Sequence, residues 1–249
     1  MNPAGLTVSV NADDFGASAA ANAAIVACMT GGLVTNTTAM ANMPAFEEAC
    51  QLARDHRFVE RVGVHMNLSE GIPLTDPIRK NRRFCDAEGR FAYRRTGILF
   101  SSFDRECVVT EIGAQIARCK EYGLSPVHAD SHQHVHTNLA LFRLLEPALR
   151  AYGIRRVRIS ANMHDVDPVR HAYKTLFARY VSYRGFATSH SFGDITAFGK
   201  LAQDRLRGSC EVMVHPIVSA QGELVDATAR YPLRPVLERL KEQHTITPF

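Results

Sequence analysis

The sequence predicts an α/β fold built on a mainly parallel sheet. Three observations carry that reading. Short segments rich in β-branched and apolar residues alternate with longer stretches of helical periodicity. Glycines stand where those helices should stop. The chain has 249 residues, 46% of them apolar and 22% charged, which is enough for a large buried core and suits a single α/β barrel of ~250 residues.

Taken in order, strands are expected at residues 6–11, 33–41, 62–68, 126–129, 156–159 and 210–214. Helices are expected at 19–30, 45–55, 104–122, 139–152, 168–183 and 231–243. Gly31-Gly32, Gly123 and Gly153 close three of these helices, because glycine tolerates the left-handed conformation that turns a helix into the next strand. Such alternation requires crossover connections and a parallel sheet covered on both faces, hence apolar rather than strictly alternating strands. A barrel and an open doubly wound sheet both satisfy this pattern. Residues 70–102, rich in Arg, Gly and Pro and weakly periodic, read as a long loop or cap on one domain rather than a domain boundary.

Composition excludes several classes. No apolar run approaches the ~18–20 residues that cross a bilayer, so no integral membrane segment is expected. Residues 1–5 lack the basic start of a secretory signal, and a cytoplasmic location is expected. The 29 basic and 25 acidic residues give +4, too mixed to mark a nucleic-acid binder. Six cysteines form no C-x-x-C pair and read as reduced structural thiols.

Four motifs carry chemistry. Asn11-Ala12-Asp13-Asp14-Phe15-Gly16 follows the first strand. Parallel α/β folds place working residues at strand C-termini, and pleating sends neighbouring side chains apart, so one acid can hold a metal while the other handles a proton. The same dipeptide alone would suit a turn. Residues 127–136, VHADSHQHVH, hold four of the chain's eleven histidines, a concentration that favours a divalent metal site over a solvated loop. Alternation on an extended segment prevents all four from being ligands. His132, just past the strand end, is preferred; which of His128, His134 and His136 assist stays open. His65 in GVHMNL and His215 in EVMVHP would each read alone as core histidines. Their strand-end placement, together with Asp13-Asp14, would converge them on one face of a barrel.

Together these motifs resemble the YdjC-like carbohydrate deacetylases, a family that includes chitooligosaccharide deacetylases and deacetylases associated with hopanoid biosynthesis. N-A-D-D-F-G, G-V-H-M-N-L, H-A-D-S-H-Q-H-V-H and E-V-M-V-H-P occur in order from about Val8 to about Pro216. The resemblance implies one deacetylase domain over residues 1–249, a distorted (β/α) barrel with mainly parallel strands, one divalent ion, and removal of acetyl groups from an N-acetylated oligosaccharide, polysaccharide or lipid-linked glycan. It implies Asp14, His65 and His132 as metal ligands, Asp13 as general base, and His215 as general acid, with the two aspartate roles exchangeable. Arg158 resembles the family's strand-borne arginine and is expected to orient Asp13 or contact substrate. Mg2+ or Zn2+ is the first expectation for the ion; Mn2+, Fe2+ and Co2+ suit the same two-histidine, one-carboxylate set.

Metal-activated water attacks phosphates and other amides too, so a metal-dependent phosphoesterase or another amidohydrolase on the same barrel is the alternative. A catalytically silent glycan-binding relative is a further one, against which Asp13 and His215 argue because metal retention needs neither. The insert at 70–102 is expected to cap the catalytic face and select substrate. Its clusters Arg79-Lys80-Asn81-Arg82-Arg83 and Arg94-Arg95, with Phe84, Phe91 and Tyr93 between, would suit sugar stacking or an anionic patch, although Asp86 and Glu88 dilute the charge. An acetylated carbohydrate is the expected partner and nucleic acid is not; a homo-oligomer is compatible with the sequence.

Overall fold

A computed structural model describes residues 6–94, 99–163, 166–200, 206 and 208–249. The reading of residues 1–5 and the basic residue Arg95 fall outside the described residues. Seven parallel strands form one curled sheet: β1 (Thr7–Phe15), β2 (Asn36–Ala39), β3 (Val62–Met66), β4 (His128–Ser131), β5 (Arg156–Val157), β6 (Ser191–Asp194) and β7 (Ser209–Val214). Their order is β5-β4-β3-β2-β1-β7-β6. The helices α1 (Ala19–Thr30), α2 (Phe46–Asp55), α3 (Asp76–Arg79), α4 (Ser102–Glu121), α5 (Leu139–Ala151), α6 (Pro168–Tyr183), α7 (Ile195–Lys200) and α8 (Leu233–Gln243) lie between and after the strands. A short antiparallel pair, β8 (Pro216–Val218) and β9 (Leu224–Asp226), follows β7.

The sheet curls until its two edge strands nearly meet. The Val157 N–H donates to the Ala187 carbonyl at 3.0 Å and the Ala187 N–H to Arg155 at 2.8 Å, just before β6 begins its pairing with β7. The result is a distorted (β/α) barrel with one weak seam between β5 and β6. Strand β6, Ser-Phe-Gly-Asp, has no β-branched residue, so it leaves no run for a sequence pattern to detect.

Local signals explain the helix boundaries. Ser18 caps α1 by accepting from Ala21 N–H, and Asn138 caps α5 by accepting from Leu141 N–H. A reciprocal Ser101/Asp104 capping box starts α4 at Ser102, two residues earlier than its apolar pattern suggests. Asp167 caps α6, with Pro168 in the first turn, where its missing N–H costs nothing.

All six cysteines are buried and unpaired, and burial pushes the Cys28, Cys50 and Cys210 thiols up to about 12. This fits the reading of packing groups. The end of the barrel opposite Asp13-Asp14 is plugged by Phe249, which stacks edge-on against His128 and lies under the Arg156 guanidinium. His128 belongs to this plug. Its ring fills the space above Gly63, where a Cβ would sit 2.4 Å from the imidazole.

The insert after β3 folds back on the body instead of standing free. Phe84, Phe91 and Tyr93 are buried, with Phe84 and Tyr93 ring centroids 5.1 Å apart. These aromatics belong to the core, which corrects the expectation that they stack on sugar. The insert's basic residues also serve the fold: Arg79 donates to the Pro73 carbonyl, Arg82 to that of Asp86 and Arg83 to that of Leu99.

Candidate active site

The paired acids sit at the C-terminal end of β1, where the pleat is broken. Ala12 is in register with Thr37 but Phe15 with Ala39, so β1 carries one more residue than β2 across the Asp13-Asp14 pair. Asp14 takes φ 68°, a left-handed conformation that costs a side-chain-bearing residue roughly 1–2 kcal/mol. Strict pleating would send the two carboxylates to opposite faces; the bulge turns both into the same polar cluster.

Asp14 reaches one histidine on β3 and one just past the end of β4. Its Oδ1 lies 3.2 Å from His65 Nε2 and 3.0 Å from His132 Nδ1. Donor atoms at this spacing match neighbouring ligands around one ion with bonds of about 2.1 Å. Each imidazole is held from behind by a second carboxylate: His65 Nδ1 meets Asp130 Oδ1 at 2.7 Å, and His132 Nε2 meets Glu70 Oε2 at 2.9 Å. That arrangement leaves His65 Nε2 and His132 Nδ1 facing Asp14 and is the usual second support of a metal-binding histidine. Burial opposes a charge on His65, but Asp130, then Asp14 and Asp13, outweigh it and raise the imidazole to about 10. Asp14 is likewise held well below the usual carboxylate range, its burial outweighed by His132 and His65.

Beneath this group Arg158 fills the centre of the barrel. Its Nη1 and Nη2 fork onto Asp13 at 2.6 and 2.8 Å, Nη2 also meets Asp130 at 2.7 Å, and Nε meets Glu211 at 2.5 Å. The guanidinium lies over the Phe192 ring, 4.7 Å from its centroid. Asn11 donates to Asp13 Oδ1 at 2.7 Å, and Thr38 donates to Asp130 Oδ2 at 3.1 Å. Although burial raises it, Asp130 is held well below the carboxylate range by Arg158 and His65, whereas burial dominates at Glu211 and pushes its carboxyl up. A second grouping, Asp13, His65 and Asp130, also clusters donors, but the guanidinium already contacts both of its acids. A cation fits better at Asp14, His65 and His132, whose donors no guanidinium touches.

The other histidines separate. His136 is structural: Nδ1 meets Ser131 Oγ, Nε2 donates to the Arg158 carbonyl, 2.9 Å away, and burial drops it to about 3. His134, at φ 53°, turns its ring onto Phe192 and lines a cavity of about 730 Å³ beside the site. His215 follows Val214, which is in register with Ala12, so it stands at the end of the strand next to Asp13-Asp14. Its N–H donates to buried Asp226, whose other oxygen caps Thr228 and Ala229, and its Nδ1 lies 3.4 Å from Thr228 Oγ1.

The structure thus gathers Asp13, Asp14, His65, His132 and Arg158 into one contact network, with His215 on the adjoining strand end. Asn11, Thr38, Glu70, Asp130 and Glu211 join it without a role assigned from sequence. Glu211 carries a readable signal, being a lone charge in an apolar strand that burial obliges to pair. Glu70 carries none, because only the path of the loop brings it to His132.

The profile of the YdjC-like protein family matches residues 7–247. A carbohydrate deacetylase of Brevibacillus brevis is 32% identical over 83% of this chain and 79% of its own length. One from Geobacillus stearothermophilus is 40% identical over 64% of this chain and 63% of its own, so that alignment leaves over a third of the relative unmatched. One from Clostridium beijerinckii is 28% identical over 96% and 90%. Among solved structures, a protein from Enterococcus faecalis V583 whose name refers to cellobiose-phosphate cleavage superposes with a TM-score of 0.73 at 21% identity, covering 98% of this chain and 97% of its own. A CE4 esterase of Streptococcus mutans superposes with a TM-score of 0.51 at 12% identity, over 97% and 84%. At these identities the structures speak for the barrel alone.

Proposed function

Because the chain belongs to the YdjC-like protein family, matched over residues 7–247, we propose that it is a carbohydrate deacetylase that hydrolyses the acetamido group of an N-acetylated sugar. The observation that supports this most is the convergence of Asp14 Oδ1, His65 Nε2 and His132 Nδ1 within 3.0–3.2 Å steps, beside a buried carboxylate that Arg158 fixes from two sides. The amide reading, rather than a phosphoester one, rests on the names of the relatives.

A divalent ion held by Asp14, His65 and His132 would polarise the acetyl carbonyl and lower the pKa of the attacking water. Asp13 takes that water's proton. Arg158 and Asn11 fix its carboxylate and together fill Oδ1, while Oδ2, which accepts from Arg158 Nη1, keeps a lone pair for the proton, since a carboxylate accepts about four hydrogen bonds. Asp130 and Glu70 hold the two imidazoles in the tautomers that present Nε2 and Nδ1. His215, its backbone tethered to Asp226, protonates the leaving nitrogen, without which an amine is a poor leaving group. Acetate and a free amino sugar result.

Asp13→Asn and His215→Ala test the assignment. Each is expected to keep stoichiometric metal, by elemental analysis, and to lower kcat for acetate release by about 10² or more. Near-normal turnover in both would overturn the two roles.

A further inference from the structure

Helix α6 lies against the barrel through Phe177 and Val181, yet it leaves a second apolar stripe in the open. Val169 is 79% exposed, Tyr173 42%, Leu176 55% and Tyr183 85%. With half-buried Tyr180 these follow a four-three-four-three spacing, one continuous line along a helix and along nothing else. Four of the nine large exposed apolar side chains among the described residues fall on this one helix, so the stripe is a feature and not scatter.

The stripe borders a groove. The cavity beside His134 shares Asn138 and Tyr173 with a smaller one, which shares Ala140 and Arg143 with a third of about 600 Å³ at the far end of α5 and α6. The line of hollows therefore leads from the catalytic end of the barrel along its outer wall. Its charge is one-sided. Helices α5 and α6 carry Arg143, Arg150, Arg170, Lys174 and Arg179 against a single acid, Glu146, which is buried and paired with Arg150 and Arg184, while Asp167 at the α6 N-cap pairs with Arg170. That excess equals the +4 of the whole chain, so the remaining residues sum to zero.

An apolar line with tyrosines, flanked by arginine and lysine, is the pattern of a helix that lies in the headgroup region of an anionic bilayer. A second copy of the chain fits poorly: a two-fold contact would set this basic rim against itself. From this geometry we infer that the α5–α6 face docks the protein peripherally on an anionic lipid surface, with α6 seated in the interface and the groove opening toward the catalytic end. This docking requires no membrane-spanning segment, and no described helix is long and apolar enough to provide one.

Vesicle sedimentation of the full chain, without substrate, tests it independently of the deacetylase reading. Vesicles of phosphatidylcholine with about 30 mol% phosphatidylglycerol are expected to bind at least about fivefold more protein than pure phosphatidylcholine at about 0.1 M salt, with most of the excess lost at about 0.5 M. The exposed-site variant Val169→Ser/Leu176→Ser/Tyr183→Ser should lose that binding at an unchanged thermal midpoint and unchanged acetate release from a soluble substrate. Arg143→Glu/Arg179→Glu should lose it by charge alone. Absence of vesicle binding, equal binding to both vesicle types, or full binding by the variants would overturn the inference. So would a wild-type dimer in light scattering that the serine variant converts to monomer, which would make this face a subunit contact.

Discussion

Arg158→Met isolates the physics of the site. The guanidinium contacts Asp13, Asp130 and Glu211, all at 3% exposure or less. Removing one partner of a buried ion pair costs about 3–5 kcal/mol, chiefly because the remaining charge is stranded in a medium that solvates it poorly. At about 2–4 °C per kcal/mol for a chain of this size, the thermal midpoint near pH 7.5 should fall by about 6–20 °C. The pH dependence has a definite sign. In the wild type Asp130 is held below its unfolded value, so its contribution is present above about pH 4 and is lost as pH falls through that range. In the variant the stranded carboxyls are raised by burial, which penalises the folded state progressively as pH rises above about 4. The first effect is already complete above about pH 5, so the second makes the gap between the two proteins widest near pH 8 and narrower toward pH 5. Circular dichroism melts across that range, with chelator present, provide the assay. Arg158→Lys should fall between the two, because one ammonium replaces a fork that reaches three acids. Midpoints within about 2 °C at pH 7.5, or a gap independent of pH, would refute the reasoning.

Gly63→Ala should destabilise the chain by about 1–3 kcal/mol in urea unfolding, since its Cβ would meet the His128 ring at 2.4 Å and the His128 carbonyl at 2.6 Å. Phe91→Ala should cost about 3–5 kcal/mol in the same assay, because the ring is core; unchanged stability with an altered substrate ranking would restore it to a binding surface. Asp226→Ala removes the acceptor for the His215, Thr228 and Ala229 N–H groups and should cost about 1–3 kcal/mol. In steady-state kinetics it should lower kcat more than it raises KM, with metal content unchanged.

Much of this was legible in the chain. Periodicity placed α1 and α6 at their observed bounds, because Ser18 and Asp167 cap them and local signals agree with the packing. Strands β6, β8 and β9 were not legible: four residues without branching, and three-residue partners beside a proline, are held by neighbours distant in sequence. Asp13, Asp14, His65, His132 and Arg158 stand out by type and strand-end position, but their roles depend on a bulge at Asp13-Asp14 that no composition announces. The aromatics of the insert mislead for the opposite reason. Interleaved with arginines they look exposed, yet the backbone pairs Cys85 with Phe91 and turns Phe84, Phe91 and Tyr93 inward.

The central claim is that Asp14, His65 and His132 hold the ion on which deacetylation depends. Its most direct measurement is acetate and free amine released from an N-acetylated chitooligosaccharide by protein stripped with chelator and then reconstituted with single divalent ions. The account predicts equal amounts of both products, loss of both on stripping, recovery with a stoichiometric ion, and no recovery in Asp14→Ala or His132→Ala. Release that survives complete stripping, or recovery undiminished in those variants, would contradict it.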